Sequence, residues 1–169
     1  MIRRTVTTTL SNATADYALV DDNLYIGNAN SVYDKNFLTA NNIKLIINAS
    51  NDHRNQNNLS IPTIMALDMK DTIPDAKSDT EFTSQYFRKA STISEQIHKY
   101  ASKGQPVLIH CQAGMNRSAF ILAYYLIKKR GYSPDATIAM LRKVNKTYRN
   151  VNTLTNPKFE SMLRSPQCC

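Results

Sequence analysis

The chain has 169 residues, a length that suits one domain with a substantial buried core. Apolar residues make up 42% of it, which is ordinary for a globular protein and argues against a disordered or fibrous chain. The net charge is +8, so we expect attraction to phosphorylated or acidic partners, nucleic acid or anionic membranes. The alternative interpretation is a solvated helix face. Nine basic residues lie between positions 128 and 164, against Asp135 and Glu160: Lys128, Lys129, Arg130, Arg142, Lys143, Lys146, Arg149, Lys158 and Arg164.

Neither a secretory signal nor a membrane span is predicted. Residues 1–10 contain arginines but no apolar segment, and no later stretch is long and apolar enough to cross a bilayer. The three cysteines favour a reducing compartment, so we expect an intracellular, cytoplasmic location. The spacing of Cys168 and Cys169 suits neither a zinc site nor an easy mutual disulfide. We expect a disordered tail there, with a redox or lipid-anchor role as the alternative.

The first half of the chain alternates strand and helix signals. Residues 1–15 are threonine-rich and lack periodicity, so they predict a mobile arm, with a contact to a second subunit as the alternative. The predicted elements that follow are strands at 17–20 and 24–27, a short helix over 31–40, and strands at 43–48 and 61–67.

The second half reads as helices around one more strand. A capping box at 78–81 starts a helix, Gly131 ends a later one, and Ser-Pro-Asp at 133–135 starts the next. Residues 146–155 read as a basic loop, and Asn156-Pro157 caps a last short helix. The helix after the capping box carries a core-facing stripe of Tyr86, Phe87, Ala90, Ile93, Ile97 and Tyr100.

The stretch from 106 to 130 organises the chain. It predicts a buried strand at 107–109 and a core helix over 119–127, joined by a tight loop, 111–117, with Gly114 in its middle. A loop that leaves a strand and opens a helix points several backbone N–H groups at one spot, and the helix dipole adds positive charge there. Such a nest binds an anion, typically phosphate.

Two side chains of this loop, Cys111 and Arg117, indicate that it is a catalytic site. A helix N-terminus and a nearby guanidinium favour the thiolate of Cys111, which is the nucleophilic form. Arg117 offers a planar fork that matches two phosphoryl oxygens. Ser118 can donate to the thiolate, and for His110 we expect a structural role, with a hydrogen bond to backbone near the loop. Taken singly, Cys111 would be a buried small hydrophobe and Arg117 a surface charge; their joint occurrence favours catalysis.

Residues 110–118, His-Cys-Gln-Ala-Gly-Met-Asn-Arg-Ser, resemble the His-Cys-x-x-Gly-x-x-Arg-Ser/Thr signature of cysteine-dependent protein phosphatases. The loop is most similar to those of the dual-specificity branch and its compact poxvirus-type enzymes, which fits a viral origin. The resemblance implies a catalytic domain over 16–164, between the arm and a tail at 165–169. It also implies structural support from Asn48. Substrate binding would fall to Gln112, Ala113, Gly114, Met115, Asn116 and Arg117.

The leaving alcohol or phenol needs a general acid. Asp68 fits the spacing that the family shows after a strand, so it is the predicted acid, which would then serve as base. The following segment is longer than in the compact enzymes, and Asp71, Asp75 and Asp79 therefore remain alternatives.

Together these features predict an α/β fold: a single domain with a central, mostly parallel sheet of four or five strands flanked by helices. The site should lie at the carboxyl end of the strand 107–109. We expect a phosphatase acting on phosphotyrosine and phosphoserine/threonine proteins through a cysteinyl-phosphate, without metal or cofactor, as a monomer or homodimer. The alternatives are an RNA 5′-phosphatase or triphosphatase, a phosphoinositide phosphatase, which the lysine-free loop disfavours, and a phosphate-binding module without catalysis.

Overall fold

A five-stranded, mostly parallel sheet forms the centre of the protein, as predicted. The structure is a computed structural model, and it describes residues 14–50, 60–66, 69–75 and 78–168. Strand order is β1-β2-β5-β3-β4, with β1 antiparallel to β2 and the other neighbours parallel. The strands are β1 (Tyr17–Asp21), β2 (Leu24–Gly27), β3 (Leu45–Asn48), β4 (Thr63–Met65) and β5 (Val107–His110).

Helices cover both faces of this sheet. Alternate side chains of each strand point to opposite faces, and every residue of β3 and β5 is buried. Leu45, Ile47 and Ile109 join the larger core, whereas Ile46 and Leu108 pack in a smaller one under α1. The helices are α1 (Lys35–Ala40), α2 (Asp79–Ala101), α3 (Arg117–Arg130), α4 (Pro134–Arg149) and α5 (Pro157–Leu163), with a 3-10 turn at Ala29–Val32.

The parallel register brings three strand ends to one edge. Gly27 of β2 and Asn48 of β3 both pair with His110, the last residue of β5. The chain leaves β5 at this edge and enters α3 seven residues later. A connection from strand to buried helix at the carboxyl edge of the sheet is where such folds bind ligands.

The core helix α3 anchors one end of this connection. Residues 118–127 are all buried, so α3 is held by packing on every side. It ends where predicted, at Gly131, which adopts the left-handed conformation with φ 71°. The predicted stripe of α2 is also confirmed: Tyr86, Ala90, Ile93 and Ile97 are buried, and Phe87 and Tyr100 pack partly buried against them.

Several predicted boundaries are wrong for local reasons. The helix expected over 31–40 is broken into the 3-10 turn and α1, because Asp34 caps a new start by accepting from the Phe37 N–H at 2.9 Å. The strand expected over 61–67 has three residues in the described part. Ser78 precedes α2 as predicted, but its side chain makes no capping bond; it contacts Asp75 instead.

The basic loop expected over 146–155 is wrong in its first part. Helix α4 continues to Arg149 and ends at Asn150, which has φ 50° and ψ 37°. Its buried residues Ile138, Leu141, Asn145 and Arg149 recur at helical spacing, so the amphipathic pattern carries the helix one turn further.

Cys168 packs against the core of the domain. Cys168 is buried in the larger core, which contradicts the expected disordered tail at that residue, and Cys169 lies outside the described residues. Most of the predicted N-terminal arm, residues 1–13, lies outside them too. Among the helices of the described chain, none has the length and apolar character needed to cross a bilayer.

Candidate active site

Cys111 lies at the carboxyl end of β5, directly after His110. Its side chain is buried, with 2% of the residue exposed. The sulfur lies 3.3 Å from the hydroxyl oxygen of Ser118, the second residue of α3. The fold therefore brings the predicted nucleophile and the predicted hydroxyl donor into contact across a loop of six residues.

The loop between them presents its backbone toward the same place. The N–H groups of residues 113–116 donate to no acceptor in the part of the chain that the structure describes. They lie beside the N-terminus of α3, whose first-turn N–H groups carry partial positive charge. This arrangement can hold a tetrahedral anion against the Cys111 sulfur.

Arg117 closes the loop as the first residue of α3. One terminal nitrogen, Nη1, donates to the carbonyl of Met69 at 3.4 Å. Its Nε is buried and has no hydrogen-bond partner among the described residues. The guanidinium is thus oriented by the segment after β4 while a donor remains available for an oxyanion.

Asn116 connects the loop to two other segments. Its Oδ1 accepts from the backbone N–H groups of Thr155, at 2.8 Å, and Asn156, at 3.2 Å. Its Nδ2 donates to Asp71 at 3.0 Å, and Asn156 Nδ2 donates to the other Asp71 oxygen at 3.2 Å. This network fixes Asp71 beside the loop 111–117, hereafter the phosphate loop.

The four candidate acids have different positions. Asp68 lies outside the described residues. Asp71 contacts the loop through Asn116. Asp75 accepts from the Ser78 N–H at 2.9 Å, and Asp79 forms an ion pair with Lys158 at 2.6 Å. These contacts give Asp75 and Asp79 structural roles. Among the candidates that the structure describes, Asp71 is the one joined to the loop by a hydrogen bond.

His110 and Asn48 occupy adjacent strand ends. The His110 ring is fully buried, and neither ring nitrogen makes a hydrogen bond of good geometry with the described residues, so the expected bond to loop backbone stays a prediction. Burial lowers the pKa of His110 to about 4, and the adjacent backbone of Cys111 acts in the opposite direction. Asn48 Oδ1 accepts from the Ser50 N–H at 2.8 Å, and the Ala49 N–H donates to the His110 carbonyl at 2.8 Å.

Two contributors to the site were missed by sequence reasoning. Tyr86, assigned only to the core, donates its hydroxyl to the Lys70 carbonyl beside Asp71. Burial raises the pKa of Tyr86, and nearby Arg117 opposes that rise. Arg149, counted with the surface charges, is 1% exposed and reaches the loop backbone. The signal for Arg149 was its place on the buried stripe of α4, four residues after Asn145.

Metal-binding residues do not gather at this site or elsewhere in the described ranges: no group of three or more His, Cys, Asp or Glu side chains could hold an ion there. Backbone N–H groups, Arg117 and Arg149 place positive charge at the loop. The geometry defines a class of protein: an α/β domain in which a cysteine, an arginine and a helix N-terminus share one loop that can hold an anion.

Comparisons with known proteins narrow that class. The family model described as "Dual specificity phosphatase, catalytic domain" matches residues 24–167. The chain therefore belongs to the dual specificity phosphatase family, a family of protein phosphatase hydrolases.

Two viral relatives agree with this assignment, and a solved structure shares the fold. Protein 123R of Invertebrate iridescent virus 6, named provisionally as a tyrosine phosphatase, is 30% identical over 123 residues, covering 72% of this chain and 75% of its own. The dual specificity protein phosphatase OPG106 of Vaccinia virus (strain Copenhagen) is 32% identical over 116 residues, covering 68% and 61%. The crystal structure of human DUSP28 has a TM-score of 0.72 at 20% identity, covering 89% of this chain and 91% of that one.

Proposed function

We propose that this protein hydrolyses phosphotyrosine and phosphoserine/threonine in proteins through a cysteinyl-phosphate intermediate. One observation carries the proposal: the Cys111 sulfur lies buried at the mouth of the loop, 3.3 Å from the Ser118 hydroxyl, with Arg117 opening the adjacent helix. A thiol placed among so many positive partial charges is suited to attack a phosphoryl group.

In the first step the Cys111 thiolate attacks phosphorus. A sulfur–phosphorus bond forms as the bond from phosphorus to the substrate oxygen breaks, and an aspartic acid protonates that oxygen as it leaves. The N–H groups of residues 113–116 and the guanidinium of Arg117 hold the equatorial oxygens, where negative charge is distributed in the transition state.

In the second step water attacks the phosphocysteine. The aspartate, now ionised, accepts a proton from the water, and the sulfur–phosphorus bond breaks to release inorganic phosphate. Ser118 donates its hydroxyl proton in a hydrogen bond to the departing thiolate, which stabilises the negative charge on sulfur.

Asp68 remains the acid that the family spacing favours, and Asp71 is the acid that the described contacts favour. The carboxylate of Asp71 is held by Asn116 and Asn156, and its neighbour Met69 binds Arg117. Either aspartate would reach the loop from the segment that follows β4. The two assignments differ in one measurable respect, the effect of replacing each carboxyl by an amide.

The test compares three substrates with four proteins. A phosphotyrosine peptide, a phosphothreonine peptide and a 5′-triphosphorylated RNA are given to wild type, Cys111→Ser, Asp68→Asn and Asp71→Asn, with and without a chelator. We expect peptide turnover that Cys111→Ser abolishes and the chelator leaves intact. The acid is the aspartate whose amide variant slows turnover by about 100-fold or more and loses one limb of the pH profile.

Other outcomes would change the proposal in defined ways. Turnover of RNA alone would reassign the substrate and keep Cys111 and Arg117 in their roles. Turnover retained by Cys111→Ser, or lost on chelation, would contradict the cysteinyl-phosphate mechanism. Binding of phosphate without turnover of any substrate would favour a phosphate-binding module.

A further inference from the structure

All four central carbonyl groups of the phosphate loop are held from outside the loop. Peptide bonds in the described chain are trans, so the N–H of each following residue points opposite to the carbonyl. Donors that hold the carbonyls outward therefore direct the next N–H groups inward. The bonds are Ala29 N–H to Gln112 O at 3.1 Å, Arg149 Nη2 to Ala113 O at 3.1 Å, Arg149 Nη1 to Gly114 O at 2.9 Å, and Leu154 N–H to Met115 O at 3.0 Å.

Arg149 supplies two of these four bonds from a single side chain. Its planar fork matches two successive carbonyls, which a lysine could not do with the same geometry. Asn145, one turn earlier on α4, accepts from Arg149 Nη1 at 2.8 Å and donates to Thr153 at 2.7 Å. Asn145 thus orients the Arg149 guanidinium from α4, while the guanidinium donates to the loop carbonyls.

The charge of Arg149 is unusual for its surroundings. The side chain is 1% exposed, and no carboxylate of the described residues lies within ion-pair distance of it. A buried cation without a paired anion is expensive, and burial does lower the pKa of Arg149, with Cys111 and Asp16 acting in the opposite direction. Packing alone would be served better by an apolar residue, so the positive charge points to a role toward the anion site.

Gly114 shows how closely the guanidinium approaches the loop. A Cβ built on Gly114 would lie 2.7 Å from Arg149 Nη1 and 2.6 Å from the Gly27 carbonyl oxygen. Both distances are shorter than real Cβ contacts. The loop backbone is therefore enclosed between β2 and the end of α4, with space for no side chain.

We propose that Arg149 is a positioning residue for phosphoryl transfer: it holds the Ala113 and Gly114 carbonyls outward so that the N–H groups of Gly114 and Met115 face the phosphoryl group. The inference rests on the proposed function, in which the loop binds the phosphoryl oxygens. Arg149 contacts no substrate itself; it acts through the loop backbone and adds positive charge behind it.

The direct test measures inorganic phosphate binding by calorimetry in a Cys111→Ser background. Arg149→Lys keeps the charge but cannot bridge both carbonyls, and Arg149→Met removes the donors. We expect Kd for phosphate to rise about 10-fold or more in both variants, because each misplaced N–H donor weakens oxyanion binding. In proteins that retain Cys111, kcat/KM for p-nitrophenyl phosphate should fall at least as far.

Arg164→Met is the matched control. Arg164 donates to the carboxylates of Asp135 and Glu160 rather than to the loop or to the residues that hold it. Its replacement should change Kd for phosphate less than 2-fold. Equal phosphate affinity in wild type, Arg149→Lys and Arg149→Met would overturn the inference, as would an equal loss in Arg164→Met.

If the Arg149 variants do not fold, a less disruptive substitution tests the same role. Asn145→Ala keeps Arg149 but removes the acceptor that orients it. We expect Kd to rise about 3-fold and the amide ¹H–¹⁵N shifts of Gly114 and Met115 to move more than those of α2; unchanged shifts and affinity would refute the role. If the wild type binds phosphate through the loop yet hydrolyses no phosphomonoester, the proposed function fails while the positioning role stands.

Discussion

Gly114 is the residue at which the loop tolerates least change. It has φ 66°, and a Cβ there would collide with Arg149 and the Gly27 carbonyl. Gly104 and Gly131 share the same backbone region, with φ 71° each, but a Cβ at either position meets nothing within 4 Å. Alanine at Gly104 or Gly131 would therefore introduce backbone strain alone, whereas alanine at Gly114 would add a steric conflict.

We expect Gly104→Ala and Gly131→Ala to lower the free energy of unfolding by about 1 kcal/mol each through backbone strain alone. Gly114→Ala should cost more and should also weaken phosphate binding by about 10-fold or more, because Arg149 must move. Urea denaturation and phosphate calorimetry measure the two effects. A Gly114→Ala protein with wild-type affinity would show that the loop can adjust without Arg149.

His110 gives the stability a specific pH dependence. Well above pH 6.5 its imidazole is neutral in folded and unfolded chains alike. Between pH 6.5 and about 4, the unfolded chain binds a proton that the buried ring does not, so the free energy of unfolding falls as the pH falls. The full loss is on the order of 3 kcal/mol.

Urea denaturation across this pH window checks the expectation. The slope of stability against pH should be shallower in His110→Asn than in wild type. Parallel wild-type and His110→Asn curves would mean that other groups cause the acid sensitivity.

At the scale of elements, the end of α4 is critical because it carries Arg149. Asn150 terminates the helix in the left-handed conformation, with φ 50°. Glycine adopts this conformation without strain, asparagine tolerates it, and alanine is strained there. We expect Asn150→Gly to preserve or slightly raise the melting temperature, and Asn150→Ala to lower the free energy of unfolding by about 1 kcal/mol. Equal melting temperatures for the two variants would contradict a capping role.

The sequence predicted the elements better than their ends. The strand 107–109, the core helix and Gly131 stand out because apolar runs and a glycine stop are local signals. The break at Asp34 was missed because the capping bond to Phe37 competes with an otherwise continuous helical pattern. The extension of α4 was missed because basic residues on its exposed face suggested a loop.

The candidate site was predictable where its residues adjoin in sequence. Cys111, Arg117 and Ser118 lie within one motif, and the fold brings Cys111 and Ser118 into contact. Arg149 and Asn156 reach the loop from 35 and 40 residues away in the chain. Their roles depend on tertiary packing that no local pattern specifies.

At the scale of the whole molecule, the charge is unevenly placed. Arg149 is internal, but Lys128, Lys129, Lys143 and Lys146 are exposed. They contribute to a net charge of +8, which should attract acidic substrates over long range. Because salt screens such attraction over about 10 Å at 0.1 M, the effect is measurable as a salt dependence.

We expect KM for an acidic phosphopeptide to rise several-fold between low and moderate salt, and KM for a neutral phosphopeptide to rise less. Lys143→Glu combined with Lys146→Glu should flatten the acidic-peptide dependence while leaving kcat unchanged. Equal salt dependence for the two peptides would show that these lysines serve solubility alone.

The outward-held carbonyls also order events during synthesis. The ribosome releases the loop before it releases Arg149 and Leu154, which hold three of the four carbonyls. A nascent chain that ends soon after α3 would thus contain Cys111 without the contacts that hold three of the loop carbonyls outward. Under the proposed mechanism Cys111 becomes reactive only when the end of α4 and residue 154 pack against the loop, so a chain truncated before them should not hydrolyse phosphate esters.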